Sequence, residues 1–299
     1  MKKDIAIIYP EIPSLGALHI TPETQDNINA NYGVMPPYPS LDLTLQNRSG
    51  VKVKIVGGGP TLKDPVPGFA NRLEELDARR NEGLTVLLGS AHRLLDQGVL
   101  KSGADIAVFN LPGANYPTHV QNTQKGMEYW VASHCDPALL AKTGQQTRLW
   151  DAYVEDLNFP ENRDPNRPVV SGGSTAATAA LALLLAQGYK DFEFYGVDGG
   201  SFEYLPSDYP YDVSGIEKLG LVQKRSEANV FVQIGNSTLK IQENFWNQMN
   251  EMAILIQQYG QDCTFKFHGN SLNNLRFNQG HDVRLLHTPD SSFSHAPSP

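Results

Sequence analysis

An alternating apolar run that breaks into glycine, VKVKIVGGGPTL at residues 51–62, constrains the fold of this chain more than any other stretch. Val51, Val53 and Ile55 fall on one face of a strand, and Gly57, Gly58 and Gly59 then let the backbone turn and approach a ligand with no Cβ in the way. Pro60 and Thr61 complete the loop. In a parallel α/β sheet such a loop lies beyond the carboxyl end of a strand, where successive N–H groups form a concave anion site. The spacing is neither GxGxxG nor GxxxxGK[ST], so neither a dinucleotide fingerprint nor a Walker loop is present. A ligand-free strand-to-helix turn is the alternative.

A second glycine-rich stretch, residues 168–202, reads as strand, small-residue loop, helix, Gly188 stop, strand FEFYGV and then Asp198. The helix over 176–185 is apolar nearly all round and must be buried. Gly172, Gly173, Ser174 and Thr175 gather hydroxyls and amides at its start, an anion-binding arrangement. Close helix–sheet packing accounts for the glycines alone.

The rest of the chain alternates. The pattern predicts a strand at 4–10, a loop or surface arm to about 49, helices at 69–80, 91–97 and 137–142, and strands at 84–88, 105–109 and 128–133. Residues 158–167 read as a polar connection. This predicts an α/β, Rossmann-like, doubly wound and mostly parallel sheet. Between 199 and 238 Phe202, Tyr204, Tyr209 and Tyr211 stand among prolines and glycines, with Lys224 and Arg225 beyond, and this reads as an aromatic lid or a hairpin excursion. A helix face follows at Ile241, Phe245, Met249, Met252 and Ile256. The expected organisation is an N-terminal strand and arm over 1–49, a Rossmann domain over 50–281, and a C-terminal strand with a disordered tail over 282–299.

The two loops, in this order, resemble those of the DUF115 family, which includes archaeal 6-hydroxymethylpterin pyrophosphokinase (MptE-like) proteins and bacterial motility accessory factors. GGGPTL at 57–62 is similar to the family's GGGPSL. The block at 84–107 follows, with Ala104 where proline is usual, and GGSTAATAALALLLAQGYKDFEFYGVDGG is the most specific part of the match. The resemblance covers about 52–276. The first loop also resembles the nucleotide loop of family 42 sialyltransferases, where an asparagine stands at the place of Gly58. Two transferase chemistries are implied. One is glycosyl transfer from a nucleotide sugar of the CMP type, and the other is ATP-dependent pyrophosphoryl transfer, which would bring in Mg2+.

A net charge of −8 without a basic stripe argues against nucleic-acid partners. Two cysteines make no disulfide framework, and no apolar run approaches a membrane span. A cytoplasmic protein whose partner is a nucleotide-activated small molecule is expected, with the oligomeric state left open. No covalent-catalysis or metal motif stands out, and no cofactor is certain.

Polar candidates remain for the chemistry. Asp198, ending a strand, can bind a ribose hydroxyl, hold a divalent ion, accept a proton or cap the next turn. His134 with Asp136, in ASHCDP, reads as a base with a neighbouring carboxylate, or Asp136 as a helix cap. Asn110 can meet a base or ribose through its amide, and His268 reads as structural. Nucleotide contacts are expected at Gly57, Gly58, Gly59, Pro60, Thr61, Asn110, Gly172, Gly173, Ser174 and Thr175. A nucleotide-binding protein without catalysis is the third reading.

Overall fold

The computed structural model describes residues 22–34, 37–110, 119–153, 159–164, 167, 169–171, 173–199, 210, 230–235 and 237–286. Its strands are β1 (Arg48–Val56), β2 (Leu84–Leu88), β3 (Ile106–Phe109), β4 (Glu128–Ala132), β5 (Thr147–Ala152), β6 (Val169–Val170), β7 (Tyr189–Tyr195), β8 (Val230–Ile234), β9 (Ser237–Ile241), β10 (Thr264–Phe267) and β11 (Val283–Leu286). Eight of them form one sheet in the order β10-β7-β1-β2-β3-β4-β5-β6, every pair parallel. Both faces are covered, so the strands read as continuous apolar runs; all of IAVF in β3 is buried.

Among the described residues the chain enters this sheet at its third strand, β1. From β1 it winds outward through β2 to β6, then returns to place β7 on the other side of β1, with Val53 opposite both Leu84 and Phe192. The order therefore reverses between β1 and β7, and the crevice of a doubly wound sheet opens beyond the carboxyl ends of such a pair.

The helices are α1 (Pro22–Tyr32), α2 (Arg72–Ala78), α3 (Arg93–Asp96), α4 (Pro137–Thr143), α5 (Ala176–Ala186) and α6 (Glu243–Tyr259). The small side chains of α5 let it lie against the sheet, buried from Ala177 onward, and Thr175 caps it in a reciprocal box with Thr178. On α6, Met252 and Leu255 join the main core, whereas Met249 packs with Val232, Ile234, Ile241, Leu272 and Val283 under a separate antiparallel sheet of order β11-β8-β9.

Three expectations change. Part of the region read as a loop to residue 49 is α1, whose apolar face is limited to Ile28 and Tyr32 and which asparagines also dock: Asn31 Nδ2 donates to the carbonyls of Ser133 and Cys135 at 2.9 and 2.8 Å, and Asn27 Nδ2 to that of His134 at 3.2 Å. Strand β5 is an addition to the pattern read from the sequence. The end of the segment read as a lid or a hairpin excursion is β8 and β9, paired antiparallel as the second of those alternatives has it, and Ile241, read with the following helix, closes β9. The strand expected at 4–10, the tail beyond 286 and most of the lid, with Lys224 and Arg225, lie outside the described residues.

One polar network holds the β7 side of the sheet to α2. Glu193 of β7 meets Lys52 Nζ at 3.0 Å, Arg79 at 3.0 and 3.2 Å, the Tyr195 hydroxyl at 2.7 Å and His268 Nε2 at 3.2 Å. Burial alone would raise the pKa of this carboxyl, but hydrogen bonds from His268, Arg79, Tyr195 and Lys52 outweigh it and hold the group ionised.

Candidate functional site

The loops at the carboxyl ends of β1, β7 and β10 interlock. The Gly57 amide donates to Tyr195 O at 2.8 Å and the Gly59 amide to Gly196 O at 2.9 Å. A Cβ at Gly57 would stand 2.4 Å from Gly196 O, and one at Gly59 2.3 Å from Asp198 Oδ2. Gly59 has φ −70, so its glycine serves close approach and not a left-handed turn. What approaches is the chain itself, the Gly196 carbonyl and the Asp198 carboxylate.

Thr61 is the crossing point. Its amide donates to Asp198 Oδ2 at 3.2 Å and its hydroxyl to Asp198 Oδ1, while Gly269, at φ +93, would place a Cβ 2.4 Å from the Thr61 Cβ. Asn273 Nδ2 donates to Val197 O at 2.8 Å. The carboxylate of Asp198, 6% exposed, thus ties β7 to the glycine loop. Among the described residues, Gly58 is the one residue of the GGG triplet whose amide has no acceptor.

The loop before α5 is filled differently. Glu251 of α6, 2% exposed, accepts the Ser174 amide at 2.9 Å and the Ser174 hydroxyl at 3.0 Å through Oε2, while its Oε1 is buried with no hydrogen-bond partner. Burial raises the pKa of Glu251, against the lowering effect of the Ser174 bonds. Gly173, at φ +75, is needed because a Cβ there would stand 2.5 Å from that same carboxylate. The donors expected to meet a phosphate therefore hold a side chain of the protein. Gly172 lies outside the described residues.

The middle of the edge is sealed. Asn110 Nδ2 donates to Gly173 O and Thr175 O at 3.3 and 3.4 Å, so its amide braces the second loop. His134 Nε2 donates to Asn110 O at 2.7 Å, which leaves the lone pair of the neutral ring on Nδ1. Contrary to expectation, the carboxylate that acts on His134 is not Asp136 but Asp151, and its effect is the smallest of those at work. Burial lowers its pKa, outweighing that bond and the charge of Asp151. Asp136 Oδ1 accepts the Ala138 amide at 2.8 Å as the cap of α4. His268 is structural in its contacts, placed 3.2 Å from Glu193, 3.3 Å from Arg72 and stacked on Tyr195 at 4.1 Å.

Two residues at this edge escaped the sequence reading. Glu251 sits one position from the apolar stripe of α6, a polar residue where the helical pattern turns inward. Arg93 follows β2 and is 9% exposed.

No family model matches the chain, and no curated protein matches it. Among solved structures, a MAf glycosyltransferase from Magnetospirillum magneticum AMB-1 shares the fold, with a TM-score of 0.57 at 12% identity over 87% of this chain and 42% of that one. The chain thus spans less than half of that neighbour's length. At this identity the likeness establishes the α/β Rossmann-like fold. Among the described residues no helix is long and apolar enough to cross a membrane, and no group of three or more His, Cys, Asp or Glu is placed to hold a metal ion.

Proposed function

We propose that the chain is a transferase that takes a nucleotide-activated donor, a nucleotide sugar of the CMP type, at the carboxyl edge of the sheet beside the β1 loop. The observation that carries this reading is the Gly57–Thr61 loop beyond the central strand at the point where strand order reverses, the place where doubly wound sheets bind ligands. The glycosyltransferase fold of the solved neighbour supports it. Glycosyl transfer from such a donor rests on positioning and on stabilising the leaving phosphate, with a base for the acceptor hydroxyl. Of the three acid–base candidates, Asp198 is the one whose carboxylate borders the glycine loop, through Thr61, and it is the one we assign to the site.

Pyrophosphoryl transfer from ATP would require magnesium, which takes oxygen ligands in a near-octahedral set. The described carboxylates are not gathered for such a set. Thermal denaturation with CMP, CDP, UDP and GDP compounds, and with ATP plus magnesium, tests the reading. A metal-independent rise in melting temperature with cytidine nucleotides is expected. A response confined to ATP with magnesium would replace glycosyl by pyrophosphoryl transfer, and no response to any of them would overturn nucleotide binding.

A further inference from the structure

A buried guanidinium cannot discharge itself. Its pKa lies above about 12, so burial leaves it charged where a lysine or histidine would shed its proton. Every other arginine among the described residues meets this demand with partners. Arg79 binds Glu75, Glu82 and Glu193; Arg163 binds Asp151; Arg72 binds Glu75; Arg80 binds Asp105; and Arg167 donates to Ser40 and Tyr38 and lies over the Tyr32 ring.

Arg93 differs. It is 9% exposed, its Nε is buried without an acceptor, and among the described residues its guanidinium makes no hydrogen bond or ion pair. The acid on its own helix is committed elsewhere: Asp96 meets His92 Nδ1 at 3.0 Å and accepts the amides of Gln121 and Asn122 at 2.8 and 3.0 Å. The charge is nonetheless felt by a neighbour. Burial first, then the charges of Arg93 and His92, lower the pKa of His119 to about 4.

The location gives this charge a use. Strand β2 pairs with β1 with Leu87 opposite Val56, so the segment carrying Arg93 leaves a strand end next to the Gly57–Thr61 loop. That loop has committed the amides of Gly57, Gly59 and Thr61 internally and cannot cradle an anion alone. We infer that Arg93 is an anion-binding residue whose guanidinium receives the phosphate or carboxylate oxygens of a small-molecule ligand beyond the carboxyl end of β2, beside His119. A planar fork matches either oxyanion in bidentate fashion. The inference deepens the donor reading by giving the donor's anionic group a partner, yet the anion can be tested without the nucleotide.

Thermal denaturation of the full chain with inorganic phosphate or pyrophosphate, and separately with glucuronate, against sodium chloride at equal ionic strength, supplies the test. A saturable rise in melting temperature is expected. Response to the phosphates identifies a phosphate site, and response to glucuronate a carboxylate site. Arg93→Met should abolish the rise while leaving the ligand-free protein as stable or more stable, since an apolar replacement removes an uncompensated buried charge. Arg93→Lys should weaken the anion at least about tenfold, because the fork is lost. An unchanged rise in Arg93→Met, or no saturable rise with any of these anions, would overturn the inference. Should neither variant fold, the arginine Nε–Hε resonances of the wild-type chain decide: a buried one that shifts with pyrophosphate supports the site, and none shifting overturns it. Full cytidine-nucleotide affinity in Arg93→Met would remove Arg93 and leave the donor reading intact, whereas an anion response without any nucleotide response would do the reverse.

Discussion

Both glycine-rich loops at the carboxyl edge of the sheet are filled by a carboxylate of the chain itself, and the two fillings differ in kind. At the β1 loop the carboxylate comes from the adjacent strand, and both oxygens of Asp198 are engaged by Thr61. At the α5 loop it comes from a helix, and one oxygen of Glu251 has no partner. In the first case backbone meets backbone, with Gly57 and Gly59 donating to the turn after β7. In the second, what stands against the loop is the far end of a side chain. The first junction is part of the framework, and the second is a closure that a rotamer change can undo.

The largest effect should come from adding a methyl group where only backbone can yield. Gly57→Ala places its Cβ 2.4 Å from the Gly196 carbonyl and should cost about 3 kcal/mol, read as a lower urea midpoint with an unchanged slope. Gly173→Ala, set against Glu251 Oε2 at 2.5 Å, should cost less, about 1–2 kcal/mol, because the glutamate can swing away and the strain of a positive φ dominates. Equal losses at the two positions would erase the distinction between framework and closure.

Next in size is Asp198→Asn. Asparagine keeps an oxygen for the Thr61 amide and offers an NH2 that the Thr61 hydroxyl can accept, so only the strength of the charge-assisted bonds is lost, about 1 kcal/mol. If Asp198 also serves the acceptor, turnover falls about 100-fold in addition. Normal turnover in a destabilised variant would confine Asp198 to the framework.

The smallest effect carries a pH signature. Burial raises the folded-state pKa of Glu251, so the folded chain holds this proton more tightly than the unfolded one. Stability attributable to the group is therefore undiminished below the unfolded value, about 4.3, and falls as pH rises through the raised folded value. Glu251→Gln has no proton to lose. Its melting curve should coincide with wild type at acid pH and exceed it by about 1 kcal/mol near pH 8, measured by melting temperature across that range. Parallel curves at all pH values would show that Glu251 is not strained by its place at the α5 start.

Much of the sheet was legible because buried parallel strands announce themselves as apolar runs: residues 84–88 coincide with β2, and 128–133 contains β4. Helix α1 was illegible for the same reason in reverse, since Ile28 and Tyr32 are the only large apolar residues on its buried face and it docks through the amides of Asn27 and Asn31, which a hydrophobic pattern does not register. Within the site, the glycines were visible but their partners were not. The pattern GGGPT says that something approaches closely, and only the three-dimensional arrangement shows that it is the turn after β7. Glu251 meets Ser174 across 77 positions of chain, a separation no local pattern spans.

Because the first described strand of the sheet is an interior one, β1 has one finished side and one unfinished side for most of synthesis. Strand β2 follows it closely, but the partner on the other edge, β7, emerges only after β6 and α5. Until then β1 is an open edge, the kind of surface that recruits foreign strands. Lys52 and Lys54 alternate along it, and charges so placed discourage edge-to-edge association of nascent chains. When β7 arrives it brings Glu193 opposite Lys54 and within 3.0 Å of Lys52 Nζ, so the completed strand pair neutralises one of the charges that guarded its edge.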